Sequence, residues 1–184
     1  MSEAGVVKQL HDIELIERLL VKHGSQREGD AWVFACNTAL RVGDMLNIRF
    51  DDVTGRDELV LNEQKTNNKR TVTLNRKAQA IVDRRRKAHP NHVHLFQSVG
   101  RNVSEPKPIT RQYFNRKLSE VGDIIGIKLS SHSARKTRGY HLLKNGTPLT
   151  TICKMFGHSS PSITLKYIGI TAEDIEQTYI ELEL

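Results

Sequence analysis

The sequence predicts an α+β protein, mainly helical, with one small three-stranded antiparallel sheet. Apolar residues recur at helical spacing over most of the 184 residues, and between Ile48 and Leu74 the period switches to two. A composition of 38% hydrophobic and 27% charged residues allows a folded core and excludes wholesale disorder.

The elements follow in order. Asp12 is expected to cap a helix through about Lys22, with Ile13, Ile16, Leu19 and Leu20 on one face and Gly24 as the stop. A second helix spans Glu28 to Thr38 and turns Trp32, Val33, Ala35 and Cys36 inward, and a short helical piece covers Val42 to Leu46. Ile48-Arg49-Phe50, Leu59-Val60-Leu61 and Thr71-Val72-Thr73-Leu74 read as three strands, joined by turns at Thr54–Asp57 and Thr66–Lys69. Helices resume at Arg76–Lys87 and stop before Pro90. Val93–Phe96 is extended and Gln97–Pro108 is a polar loop. Four further helices read as Thr110–Val121, Ser133–Lys144, Leu149–Phe156 and Pro161–Ile168, and a capping box of Thr171 and Asp174 opens a last one.

Charge narrows the function classes. Lys and Arg number 28 against 21 Asp and Glu, a net +7. Five of the acids lie in residues 171–184 with no base beside them, so residues 1–170 carry 28 bases against 16 acids, a net +12. A basic body with an acidic tail points to a polyanionic partner, most simply nucleic acid. No apolar run approaches a membrane span, and Met1–Gly5 lacks the basic and apolar regions of a signal peptide. Cys36 and Cys153 sit in apolar helical patterns, which excludes a disulfide framework and suggests a reduced, cytoplasmic protein.

Four segments hold residues suited to chemistry: Arg41 with Asp44, Lys65 in Gln64-Lys65-Thr66, His132 with Arg135, and His158 followed nine residues later by Tyr167. Two guanidiniums, two imidazoles, an amine and a phenol suit transesterification at a phosphodiester. Arginines are planar, permanent donors to the charge that builds on non-bridging oxygens. Neighbouring cations are expected to favour the phenolate of Tyr167 as nucleophile, and Lys65 or a histidine can protonate the leaving oxygen. No acidic cluster is available for magnesium, so no metal and no cofactor are expected. Within the boxes, Lys69 competes with Lys65, Arg138 lies one turn beyond Arg135, and Tyr179 is the rival tyrosine. Lys69, Arg70, Arg84, Arg85, Arg111, Lys136 and Arg138 are expected to contact DNA phosphates. His89, His92 and His94 have no recognised zinc spacing.

The ordered set resembles the catalytic domain of the tyrosine recombinases, the phage-integrase family, from about Glu28 to Tyr167. Leu40-Arg41 with Asp44 is similar to the first arginine box, His132-x-x-Arg135 to the second, and Phe156-Gly157-His158 with Ser159, Thr164 and Tyr167 to the third. The resemblance implies that Tyr167 attacks the scissile phosphate to form a 3′-phosphotyrosyl bond. Arg41, Arg135 and His158 then bind the phosphate, Lys65 protonates the 5′-oxygen, His132 manages the tyrosine proton and Asp44 orients Arg41. It also implies double-stranded DNA as partner, with association with the nucleoid when bound. It further implies a homotetramer on DNA, assembled from a chain expected to be monomeric when free. Residues 1–170 then form the breaking and rejoining domain, and residues 171–184 an acidic helix that docks on a neighbouring protomer. Only 27 residues precede Glu28, so the family's N-terminal core-binding domain is expected to be absent. Two rivals stay open: a helix-turn-helix regulator built on Leu149–Ile168 with Ile163 buried, and a type IB topoisomerase-like activity.

Overall fold

A computed structural model describes residues 5–62, 69–100 and 105–181. Helix α1 (Leu10–His23) begins two residues before Asp12, which therefore sits in the first turn, where its charge complements the helix dipole. Ser25 caps α2 (Gln26–Thr38) by accepting from the Arg27 amide at 3.3 Å. Trp32 fastens α2 to α1 by donating its indole N–H to the Ile13 carbonyl at 3.1 Å.

After α3 (Val42–Leu46) the sequence expectation needs correction. Ile48-Arg49-Phe50 is not a strand of the sheet: Arg49 makes an isolated bridge with His94, and Phe50–Val53 is a four-residue helix, α4. The cause is local. The Asp52 carboxylate captures the Arg49 amide at 2.8 Å and starts a helical turn in place of a ladder. Among the described residues the sheet has two antiparallel strands, β1 (Glu58–Asn62) and β2 (Lys69–Thr73), in the register Glu58↔Thr73 to Asn62↔Lys69. The cross-strand pair Leu59 and Val72 turns to the core, while Val60 faces outward. The fold class stands with a smaller sheet.

Helix α5 (Arg76–Ala88), capped by Asn75, buries Ala78, Ile81, Val82 and Arg85 at helical spacing and packs on α2. Helix α6 (Arg111–Ile125) is capped by Thr110 and runs a turn beyond the expected end, to Gly126 in the left-handed region. Four helices complete the chain: α7 (Ser133–Lys144), α8 (Leu149–Phe156), α9 (Pro161–Ile168) and α10 (Ala172–Glu181). The Thr171–Asp174 capping box is present, with each residue's backbone amide bonded to the other's side chain.

Two apolar clusters result. The larger joins the helices from α1 to α6 with the sheet, and the smaller gathers Ala39, Tyr140, Ile152, Phe156 and Ile168 around α7, α8 and α9. Gly139 makes the second possible. A Cβ there would lie 2.6 Å from Ile168 Cγ2 and 2.7 Å from the Phe156 ring, so only glycine lets α8 and α9 close on α7. None of the described helices is long and apolar enough to cross a membrane.

Candidate active site

Arg135 organises the site. It lies in the first turn of α7, and its side chain is buried, with the guanidinium 4.5 Å from the centre of the Phe156 ring. One terminal nitrogen donates to the Ala39 carbonyl and the other to the Phe156 carbonyl at 2.8 Å. Ala39 is the one described non-glycine residue with positive φ, 52°, and it ends α2 immediately before Leu40-Arg41. The Arg135 side chain thus ties the first arginine segment to the end of α8 across 96 residues of chain.

Beyond Phe156, Gly157 takes φ 64° and turns the chain to His158. Cys153 donates its thiol to the His158 carbonyl at 3.1 Å, and His158 Nδ1 lies 3.0 Å from Thr164 Oγ1 on α9. Thr164 stands three residues before Tyr167, and the His158 and Tyr167 rings meet edge to face with centres 5.1 Å apart. Phe156 meets the same tyrosine at 5.5 Å.

These side chains open on one cleft of about 530 Å³, lined by Arg41, Asp44, Arg111, His132, Arg135, His158 and Tyr167. Arg41 is the N-cap residue of α3 and Asp44 is buried one turn along. His132 precedes α7, and its Nε2 lies 3.4 Å from an Arg111 guanidinium nitrogen at the start of α6. Tyr179 is exposed on α10, away from this cleft.

Burial holds the Tyr167 phenol above its ordinary value, although the charge and hydrogen bond of Arg135 and the charge of Arg41 act the other way. The expectation that cations would favour a phenolate is corrected: desolvation of the anion outweighs them. Burial also lowers His158, helped by Arg135 and Arg41, and lowers His132, helped by Arg111, Lys136 and Arg135. Both imidazoles are therefore neutral at pH 7. Such a site can clamp an anion with guanidiniums and accept a proton on a ring nitrogen.

The residues expected to grip DNA divide. Arg85 is 3% exposed and donates to the Leu95 carbonyl at 2.6 Å, and it pairs with the fully buried Asp30. Arg84 bonds to the same carboxylate. Arg85 is turned inward to neutralise Asp30, which corrects its reading as a phosphate contact, whereas Arg84 pairs with Asp30 from the surface with its side chain 48% exposed. Lys136 is also buried, its ammonium 5.4 Å from the centre of the Tyr167 ring, so it belongs beside the phenol and not on a DNA-facing surface. Lys69, Arg70 and Arg138 line a neighbouring groove of about 430 Å³ together with Lys154 and Gly157. Lys65 lies outside the described residues. Sequence reasoning missed the Arg135 contacts with two distant carbonyls and the burial of Lys136. The helical offset of Lys136 from His132 was a usable signal, since i and i+4 share a face.

A model of the phage integrase family matches residues 11–174. The chain belongs to the phage integrase family, that of the tyrosine recombinases. This family member is 30% identical over 174 residues to the probable integrase/recombinase YoeC of Bacillus subtilis (strain 168), covering 94% of the chain and 93% of YoeC. It is 28% identical to the tyrosine recombinase XerD of Staphylococcus haemolyticus (strain JCSC1435), covering 91% of the chain but 58% of XerD. Among solved structures, the XerA recombinase aligns with TM-score 0.74 at 18% identity, over 98% of this chain and 65% of that one. The Tn1549 transposon integrase, solved in complex with transposon right end DNA, aligns with TM-score 0.68 at 16% identity, over 98% and 66%. At those identities the structures speak for the fold alone. The helix pair α8–α9 that suggested a helix-turn-helix turns Thr164 and Ile168 inward and leaves Ile163 46% exposed, the reverse of the burial that reading required.

Proposed function

We propose that the chain is a site-specific DNA recombinase that cleaves and rejoins strands through a 3′-phosphotyrosyl intermediate, without metal or cofactor. One observation carries this reading: Arg41, His132, Arg135, His158 and Tyr167 share a single cleft. A scissile phosphodiester enters it, and Arg41, Arg135 and His158 bind the non-bridging oxygens, where charge builds in the transition state. Asp44 orients Arg41. Tyr167 Oη attacks phosphorus while its proton passes to His132, which is neutral and able to take it. The bond from phosphorus to the 5′-oxygen breaks, and Lys65 supplies the proton that oxygen needs. One ester bond forms as one is lost, so a 5′-hydroxyl from another strand reverses the reaction and completes exchange.

Double-stranded DNA as partner is supported by the +12 charge of residues 1–170 and by the DNA in the Tn1549 integrase complex. Arg111, Lys69, Arg70 and Arg138 contact its backbone in this reading. The chain is monomeric when free and tetrameric on DNA. Residues 1–170 do the chemistry and the acidic tail couples protomers.

The test is covalent trapping on a nicked duplex, followed on a denaturing gel with and without a chelator. The wild type forms an adduct in both conditions, and Tyr167→Phe binds DNA without forming one. An adduct that survives in Tyr167→Phe and disappears in Tyr179→Phe overturns the nucleophile. Dependence on divalent metal overturns the metal-free chemistry, and tight sequence-specific binding with no adduct from the wild type restores the regulator.

A further inference from the structure

His158 is neutral at pH 7, so its ring carries one hydrogen, on either Nδ1 or Nε2. Only the Nε2–H form leaves a donor on the ring edge opposite Thr164. Which form is present depends on what Nδ1 meets, and at 3.0 Å it meets Thr164 Oγ1. Thr164 is fully buried.

A buried hydroxyl must place its own hydrogen. Two other threonines of this protein use the carbonyl four residues back: Thr38 donates to Phe34 at 2.9 Å and Thr54 to Phe50 at 2.8 Å. Thr164 does not. Its hydroxyl lies 3.0 Å from His158 Nδ1 instead. Were Nδ1 the donor, the Thr164 hydrogen would be left buried with no acceptor among the described residues, a penalty that disfavours that form by about tenfold or more.

We infer that Thr164 is a positioning residue: its hydroxyl donates to His158 Nδ1 and holds the imidazole as the Nε2–H tautomer, with Nε2 presented as a donor to the cleft. Because Thr164 and Tyr167 share α9, the same bond makes the phosphate donor and the nucleophile one rigid unit. The use of Nε2 on phosphate rests on the function proposed above, whereas the tautomer itself does not.

The test is therefore read first without DNA. Long-range nitrogen–proton NMR of imidazole-labelled protein at pH 8, assigned with His158→Gln, should show His158 as Nε2–H, with Nδ1 shifted as a hydrogen-bond acceptor. Thr164→Val should move Nδ1 to the position of a nitrogen without a hydrogen bond, and Thr164→Ser should restore it. Cleavage of nicked DNA should slow roughly tenfold in the valine variant at unchanged DNA affinity and recover in the serine variant. A wild-type spectrum with hydrogen on Nδ1 overturns the inference even if the valine variant fails to fold. Nitrogen shifts that are identical in wild type and Thr164→Val overturn it as well. If the tautomer is as stated but Tyr167→Phe still forms adducts, the proposed function fails and the tautomer assignment stands.

Discussion

Arg135 and Arg41 face the same cleft with different structural burdens. Arg135 is buried and bonded to two backbone carbonyls from separate elements, whereas Arg41 is half-buried at a helix start. Lysine cannot reach two diverging acceptors with a planar fork. We expect Arg135→Lys to lose about 2–3 kcal/mol of stability through these charge-assisted bonds, seen as a melting temperature lower by roughly 5–10 °C. Arg41→Lys should melt within a degree or two of wild type yet lose about a hundredfold in cleavage. Thermal unfolding beside single-turnover cleavage separates the two, and equal melting temperatures would contradict the bridging role. The histidines give a pH signature. His132 and His158 have folded-state values below the ordinary one, so the unfolded chain binds more protons below about pH 6.5. Their effect is nil above that pH, and stability falls as the pH drops from about 6.5 toward the lowered values. Urea midpoints at pH 8, 6 and 5 should fall less steeply when both residues are glutamine. A slope identical to wild type would mean that neither imidazole is desolvated.

At the scale of elements, the crossing of α7 with α8 and α9 sets the position of Tyr167. Gly139 is the contact point, and Ile168, whose methyl a new Cβ would strike, is the residue after Tyr167. Gly139→Ala should cost about 1–3 kcal/mol by overpacking. It should also slow cleavage more than DNA binding, because α9 must move away from Arg135. Unfolding in urea and filter binding beside cleavage provide the check. Unchanged cleavage in a destabilised protein would show that the α9 position tolerates the shift. The α2–α5 contact has no such link to chemistry. Its buried Asp30 is neutralised by Arg84 and Arg85, and these arginines stabilise the scaffold.

For the whole molecule, α10 stands apart. It carries acids on a basic protein, and it leaves Tyr179 80% and Ile180 64% exposed. Its first turn is anchored by a 2.8 Å ion pair between Lys8 and Asp174, which with Thr171 holds the Asp174 carboxyl down to about 2. Deleting residues 175–184 removes the exposed apolar side chains and keeps that anchor. We expect the truncated chain to fold and bind DNA as a monomer, to assemble less on paired sites and to cleave at an altered rate. Sedimentation of protein–DNA complexes beside a cleavage assay reads this. Identical assembly and cleavage would make α10 a passive surface helix.

The sequence by itself determined the elements whose signals are local. Helix α7 ends at the Asn145-Gly146 pair, α8 runs between Pro148 and Gly157, and α9 starts at Pro161, because caps act within one turn. The order and spacing of Arg41, His132, Arg135, His158 and Tyr167 were legible for the same reason: they are a one-dimensional pattern. Tertiary structure alone decided the rest. Ile48–Phe50 has strand composition, but the distant segment around His94 takes its backbone groups in place of the sheet. Arg85 and Lys136 read as surface cations until Asp30 and Tyr167, each more than 30 residues away, drew them inward. The direction of the Tyr167 shift was not readable either, since the charges nearby are visible in sequence and the burial that outweighs them is not. Desolvation depends on what surrounds a group from every side, and those surroundings come from chain segments that meet only in the folded protein.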